Sequence, residues 1–313
     1  MFKNLIYKIT QSTIFQTPLK ISKSLFIPGF DGLSLFEVLR FFIEGVQKNS
    51  LTTRASSLAF RFFLALFPSI IFLFSLIPYI PIKGFKTHLL EIIHGMLPGD
   101  AYEMVSSTIE DLMFNRNDGL LSFGFLFAFY LASNGVNSMV IAFSETAHSQ
   151  KKASFIKTRI SSLILLFIIV FLMIIAIGLI VFSATITDYL TAKGYITDNY
   201  IIYFLEGAKF VILLLVFFLG ISAIYYFGNT RNNHFRFISA GSTLATLLSI
   251  LLSSGFAFYV NNFSTYNKVY GSIGTLMVIM LWLYSNSLVL LLGFELNASI
   301  SHAKQSKLSK EIL

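Results

Sequence analysis

Cysteine is absent from the 313-residue chain. This absence excludes disulfide bonds, thiolate metal sites and cysteine nucleophiles. Charged residues are also scarce, at 12% of the chain, whereas soluble domains carry roughly 25%. Hydrophobic residues account for 55%, and the mean hydropathy is +0.75. Together these values indicate a membrane protein.

A secretory leader is not visible at the N-terminus. Residues 1–32 contain short apolar runs among Lys, Ser, Thr and Pro, without a continuous apolar stretch or a small-residue cleavage site. We interpret 1–32 as a basic cytoplasmic arm and 33–313 as a single membrane domain. Residues 33–48 have helical amphipathic spacing but are too polar to span a bilayer. They predict a helix that lies in the membrane interface or packs on the bundle.

Long apolar segments predict six transmembrane helices, at about 55–80, 119–145, 161–183, 208–227, 237–260 and 271–298. Residues 82–118 predict short extracytoplasmic helices between the first two spans. Lys and Arg concentrate in the arm, in loops 146–160 and 228–237 and in the tail, so both termini are predicted to be cytoplasmic. The predicted fold class is therefore all-α, a polytopic membrane helix bundle with N-in and C-in topology.

The net charge of +8 has two interpretations. It is compatible with nucleic-acid binding, but cytoplasmic lysines that set topology and contact anionic lipid explain it better. We therefore expect membrane lipids as partners and no nucleic acid. The sequence leaves the oligomeric state open.

Enzyme motifs are missing as well. No HExxH, GxSxG, P-loop or EF-hand pattern occurs. Of the five histidines, two lie in the predicted extracytoplasmic segment 82–118 and the other three in separate predicted inner segments. We expect no enzymatic activity, no cofactor and no metal site.

Polar side chains occur inside three of the spans, where hydrocarbon offers them no partners. Helical spacing places those of the second span on one face, and those of the fifth belong to a stripe of small residues. A predicted cavity or substrate pathway combines Asn134, Asn137, Ser138, Ser249, Ser253, Asn286 and Asn297. Interhelical hydrogen bonding and close helix packing are the alternative explanations.

Charged residues gather at the predicted cytoplasmic ends of four spans: Arg54, Arg61, Glu145, Arg159 and Glu295. A buried charge is tolerated when it is paired, so we expect at least one Arg–Glu pair, with Arg61–Glu295 favoured. This charged inner layer is interpreted either as a salt-bridge clasp or as a gate or head-group site. At the predicted outer end, an outer vestibule or a set of interfacial aromatic anchors is formed by Tyr259, Asn262, Tyr266 and Tyr270.

The last span, 271–298, carries the only Trp, Trp282, and polar groups on two sides. Gly293 and Asn297 share a face with Asn286, whereas Glu295 lies about 180° around the helix from Asn286. We therefore expect this span at the centre of the bundle, with a different neighbour on each face.

Several patches resemble a known family. The most specific lies at 270–298 and ends in LGFELNA, and the others lie at 54–68, 133–159 and 225–228. In these patches the chain is similar to the YihY/virulence factor BrkB family of bacterial inner-membrane proteins, formerly labelled ribonuclease BN. It departs from the pattern at Ser144, where Asn is usual, and at Asn229 and Ser239, where prolines are usual.

The resemblance implies a six-helix bacterial inner-membrane protein associated with envelope integrity. With the polar residues of the spans, it favours a transporter or flippase-like exporter of a lipid or other amphiphile. The alternative is a non-transporting envelope scaffold or assembly partner. The ribonuclease label is not supported, because the motifs above supply no acid cluster for metal-dependent cleavage.

Overall fold

The structure is a computed structural model that describes residues 29–48, 50–79, 118–145, 154–193, 199–230, 236–262 and 265–312, with scattered residues between 90 and 115. The predicted arm 1–32 therefore lies almost wholly outside the described residues. The same holds for most of the segment 82–118. Its described residues between 90 and 114 are helical.

Long helices account for nearly all of the described chain. Their bounds are α1 Leu35–Lys48, α2 Leu51–Leu76, α3 Asp118–Ser144, α4 Phe155–Ala192, α5 Asn199–Gly228, α6 Ala240–Asn262 and α7 Thr265–Ile312. Helices α2 to α7 are each long and apolar enough to cross a membrane. The predicted all-α fold with six membrane-spanning helices is confirmed. The N-in and C-in orientation stays a prediction.

Helix α1 begins with a capping box. The backbone N–H of Glu37 donates to Oγ of Ser34, and the N–H of Ser34 donates to the Glu37 carboxylate at 3.0 Å. This reciprocal pair satisfies two backbone donors that a helix start leaves free. The Ser-x-x-Glu spacing is a sequence signal for this boundary.

Helix α1 packs through one face and exposes another. Val38 is fully buried in a core cluster with Leu296 and Ile300 of α7. Leu39 and Ile43, one turn apart, are 41% and 51% exposed. The helix therefore packs on the protein and also presents an apolar ridge suited to a membrane interface. The two interpretations of this segment are compatible.

Helix α2 continues through Pro68, which removes one backbone donor. The hydroxyl of Ser69 donates to the carbonyl of Ala65 at 2.7 Å. A short 3-10 turn, Ile77–Tyr79, follows the end of α2 and contains Pro78.

The chain divides into two compact units. Unit 1 comprises residues 1–54, 139–253 and 288–313, and unit 2 comprises 55–138 and 254–287. Within unit 1, α4 packs along α5. Within unit 2, the backbone of Gly124 in α3 lies against that of Phe72 in α2. Helices α2, α3, α6 and α7 contribute residues to both units.

Two glycines bring α6 and α7 into close contact in unit 1. A Cβ added at Gly293 would lie 2.7 Å from the carbonyl oxygen of Gly241 and 2.8 Å from Cβ of Ala245. A Cβ added at Gly241 would lie 2.6 Å from Oδ1 of Asn297. Neither position has room for a side chain, so the backbones meet directly, as small residues permit in membrane helices. The face of Gly293 and Asn297 was expected to pack inward, and the structure shows that its neighbour is α6.

An aromatic cluster surrounds this contact. The rings of Phe143 and Phe294 stack with centroids 4.3 Å apart, and Tyr225 meets Phe294 edge-on at 5.9 Å. The hydroxyl of the fully buried Tyr225 donates to the carbonyl of Leu290 at 2.8 Å. Helices α3, α5 and α7 are thus joined by one apolar cluster whose only polar tip has a partner.

We expect Gly241→Ala to lower the stability of the protein by about 1–3 kcal/mol, because the added methyl overpacks the α6–α7 contact. The control is Gly255→Ala in the same helix, where nothing lies within 4 Å of an added Cβ. Thermal unfolding in detergent measures both. Equal melting temperatures for the two variants would contradict the close contact.

The absence of cysteine makes the orientation directly testable, because single cysteines can be labelled without background. Ser309→Cys in the tail should react with an impermeant maleimide only after the cells are permeabilised. Lys193→Cys, beyond the end of α4, should react in intact cells. The reverse pattern would overturn the N-in and C-in prediction.

Candidate functional site

Arg54 lies in the first turn of α2 and is 9% exposed. Its Nη2 donates to the carbonyl oxygen of Ala142, in the last turn of α3. The last carbonyls of a helix have no partner within the helix, and its C-terminal end carries partial negative charge. Arg54 therefore caps α3 with a cation, which joins the start of one helix to the end of another.

Glu295 of α7 is 1% exposed and lies against α1. A Cβ added at Gly45 would lie 3.0 Å from Cδ of Glu295 and closer still to its Oε1. The carboxylate therefore occupies the space that any side chain at position 45 would take. This neighbour differs from the α6 neighbour of Gly293 and Asn297, as predicted for two opposite faces of the last span.

Two carboxylates of unit 1 lie close to Arg54. The carboxylates of Glu295 and Glu145 both lie within electrostatic range of its guanidinium. Glu145, just beyond the end of α3, is exposed, so Glu295 is the buried member of this group. A low-dielectric interior strengthens the attraction between opposite charges and makes either charge costly without the other.

The expected Arg–Glu pairing is corrected in one respect. Arg61 was the favoured partner of Glu295, but its side chain is exposed and belongs to unit 2. Arg54, seven residues earlier, is the buried arginine near Glu295. Helical periodicity gave no means to decide between these two arginines, since both lie near the predicted cytoplasmic end. Arg159 is half-buried at the start of α4.

The residues predicted to line a pathway fall in different environments. Asn134 and Asn137 are half-buried, and Ser138 donates to the carbonyl of Asn134 at 2.8 Å. Asn286 donates to the carbonyl of Trp282 in its own helix. Ser249 is 3% exposed and Ser253 is exposed. Their role in a pathway stays a prediction.

Asn297 caps the N-terminus of α6. Its Oδ1 accepts from the N–H of Gly241 at 2.8 Å, and its Nδ2 donates to Oγ of Ser239 at 2.9 Å. Ser239 in turn accepts from the N–H of Ser242. A side-chain cap from another helix replaces part of the local capping at this end. Ser239, one of the departures from the family pattern, is the N-cap residue of α6.

A polar cavity of about 240 Å³ lies beside this cap in unit 1. Its lining includes Asp31, Arg236, Ser239, Asn297, Ser301 and Lys304. Asp31 pairs with Arg236 at 3.1 Å and with Lys304 at 3.2 Å. Asn297 is the one residue of the predicted pathway in this lining. No pattern in the sequence singled out Asp31, which lies in the segment interpreted as a basic arm.

An apolar groove of about 460 Å³ lies in unit 2. Its lining includes Ala59 of α2, Tyr259 of α6 and Val278, Met280, Leu281 and Tyr284 of α7. Tyr259 was predicted for the outer vestibule. The side chains of the other predicted vestibule residues, Asn262, Tyr266 and Tyr270, lie outside those that the structure describes.

Arg54→Gln should destabilise the protein by about 3 kcal/mol, because it leaves the buried Glu295 carboxylate without its cation. Adding Glu295→Gln to this variant should restore part of the loss, since the uncompensated charge is then removed. Arg61→Gln in the same helix is the control and should change stability little. Chemical or thermal unfolding in detergent measures all of them. A double variant no more stable than Arg54→Gln would argue against the pair.

Comparison with known proteins places the chain in a family. The profile of the family described as Virulence factor BrkB matches residues 42–312. The chain is 34% identical over 257 residues to the putative ribonuclease-like protein YfkH of Bacillus subtilis, an alignment that covers 81% of this chain and 91% of that protein. No solved structure matches the chain.

Relatives with membrane-protein names extend this match. A UPF0761 membrane protein of Alteromonas mediterranea is 24% identical over 282 residues, covering 87% of this chain and 90% of that protein. Another, from Nitrosospira multiformis, is 26% identical over 276 residues, covering 85% of this chain and 60% of that protein. With six helices able to span a bilayer and a family profile along most of its length, the chain belongs to the Virulence factor BrkB family and is an integral, multi-pass membrane protein.

Proposed function

We propose that the protein binds an amphiphile with an acyl chain in the bacterial inner membrane and moves it across the bilayer, as a lipid transporter or flippase-like exporter. The observation that carries this proposal is the apolar groove of unit 2. Outward movement of such a molecule by the protein would be its function in the bacterial envelope.

The size and lining of the groove fit one apolar ligand. Its volume of about 460 Å³ lies within the roughly 300–1,000 Å³ range of small-molecule pockets. Ser56, Tyr259 and Tyr284 add hydroxyl groups to a wall that otherwise consists of aliphatic and methionine side chains. Such a lining holds an apolar chain and leaves a few polar groups to orient it.

The groove also draws on three of the membrane-spanning helices, α2, α6 and α7. A lining shared among spans suits a ligand that enters from the bilayer, since each of these spans exposes large apolar side chains such as Phe60, Phe258 and Leu281. Methionines at 277 and 280 provide flexible walls that adapt to different chains.

A ribonuclease is not favoured. One relative carries a ribonuclease-like name. Among the described residues, however, no group of three or more His, Asp and Glu side chains is close enough to hold a metal ion. Metal-assisted phosphodiester cleavage would need such a group. The expectation that the chain is not an enzyme stays a prediction.

A scaffold or assembly partner is the second candidate. The observation in its favour is the backbone contact of Gly241 with Gly293, which leaves no space for a ligand between these helices. Such a close contact suits a scaffold that does not change conformation. It equally suits the part of a transporter that does not move.

Met280→Trp should slow lipid movement at least several-fold, because the larger ring fills the groove. Leu276→Trp is the control, since this 41% exposed residue of the same helix does not line the groove. Both variants are reconstituted with a fluorescent phospholipid, and the loss of the probe from one leaflet is followed. If the wild-type protein moves no lipid, or if both variants move it equally well, the transport proposal fails. The scaffold alternative then remains.

A further inference from the structure

We propose that the polar cavity of unit 1, at Asp31, Arg236 and Lys304, is a binding site for a phosphate group. This group belongs either to a lipid head group or to a soluble phosphate. The site is independent of the apolar groove and does not require that the protein moves lipid.

Two cations flank one carboxylate in this cavity. Nη2 of Arg236 lies 3.1 Å from Oδ1 of Asp31, and Nζ of Lys304 lies 3.2 Å from Oδ2. The Asp31 side chain is 18% exposed, whereas those of Arg236 and Lys304 are 68% and 50% exposed. Asp31 therefore lies at the base of the cluster and holds one cation on each of its oxygens.

The cluster carries an excess of positive charge and of donors. Two cations and one carboxylate leave a formal charge of +1 in the lining. A guanidinium has five N–H groups and an ammonium has three, so one carboxylate cannot saturate both. Arginine binds phosphate through two parallel hydrogen bonds, and lysine adds a point charge. An anion is the ligand that completes this arrangement.

The N-terminus of α6 adds to the same potential. Ser239, the N-cap residue of α6, lines the cavity, and so does Asn297, which accepts from the N–H of Gly241. The positive end of the helix dipole therefore adds to the field of the two cations. The cavity of about 240 Å³ leaves space beside the ion pairs for a phosphate group.

A purely structural clasp is a weaker explanation. Ion pairs between exposed side chains contribute roughly 0–1 kcal/mol to stability. Both cations are more than one-third exposed, so the two pairs hold α7 and the residues before α6 together only weakly. A clasp also needs no open cavity, whereas a ligand site does. The predicted orientation places the cavity on the cytoplasmic side, where phosphate-bearing metabolites and anionic lipids are both present.

The decisive variant is Asp31→Asn. It removes the competing carboxylate and should tighten phosphate binding several-fold, because both cations become available to the ligand. Asp31 has a φ of 53°, in the left-handed region that Asn also adopts readily, so the backbone is preserved. A clasp without a ligand predicts no anion binding in either protein.

The experiment uses the purified full-length protein in a neutral detergent. Isothermal titration with inorganic phosphate tests the soluble source. Mixed micelles with phosphatidylglycerol, compared with diacylglycerol that lacks the phosphate, test the lipid source. Arg236→Gln and Lys304→Gln should each weaken binding by about tenfold, because each removes a charge-assisted hydrogen bond to the phosphate group. Arg40→Gln removes an exposed cation outside the cavity and should bind as wild type.

The outcomes separate the possibilities. Binding of inorganic phosphate that the variants change in the stated directions supports a soluble ligand. Preference for phosphatidylglycerol over diacylglycerol with the same variant pattern supports a lipid head group. No binding by the wild-type protein, or binding that Asp31→Asn fails to tighten, overturns the proposal. Melting temperatures establish that each variant is folded. Lys304→Glu, which reverses one charge of the cavity, should abolish binding.

Discussion

The direct backbone contact between Gly241 and Gly293 is the constraint on which unit 1 depends. In a membrane the hydrophobic effect does not drive helices together, so association relies on close packing and hydrogen bonds. Once the two glycines meet, Asn297 reaches the start of α6 and caps it. On α5, the hydroxyl of Tyr225 also occupies space that a side chain at Gly293 would take, and it donates to the carbonyl of Leu290. The missing side chain of Gly293 therefore admits both a polar and an aromatic neighbour of α7.

The opposite face of α7 has a different requirement. Glu295 is nearly fully buried and lies against Gly45, where the missing side chain leaves space for the carboxylate. Arg54 links this acid electrostatically to the end of α3 through the carbonyl of Ala142. Three segments far apart in the chain thus bring a buried arginine and a buried carboxylate within electrostatic range of each other. Opposite charges in a buried region add little stability, but removing one of them is expensive, which makes them a strong determinant of arrangement.

The two cavities differ in the ligand chemistry they suit. The groove of unit 2 is apolar with tyrosine hydroxyls, and the cavity of unit 1 is polar with excess positive charge. Acyl chains suit the first, and phosphate oxygens suit the second. Both chemistries occur in phospholipids, but the two sites have no lining residue in common.

The sequence by itself determined the membrane class, the number of spans and the opposed faces of the last span. These features follow from hydropathy and helical periodicity, which are local properties of the chain. The stripe of small residues in the fifth span is buried at Ser242, Thr246 and Ser249 but exposed at Ser253 and Ala257. Tertiary structure alone decided which arginine lies near Glu295, since Arg54 and Arg61, two turns apart, share one face of the first span. It also brought Asp31 to Arg236 and Lys304, residues separated by more than 200 positions, because such long-range contacts depend on how helices pack and leave no periodic trace.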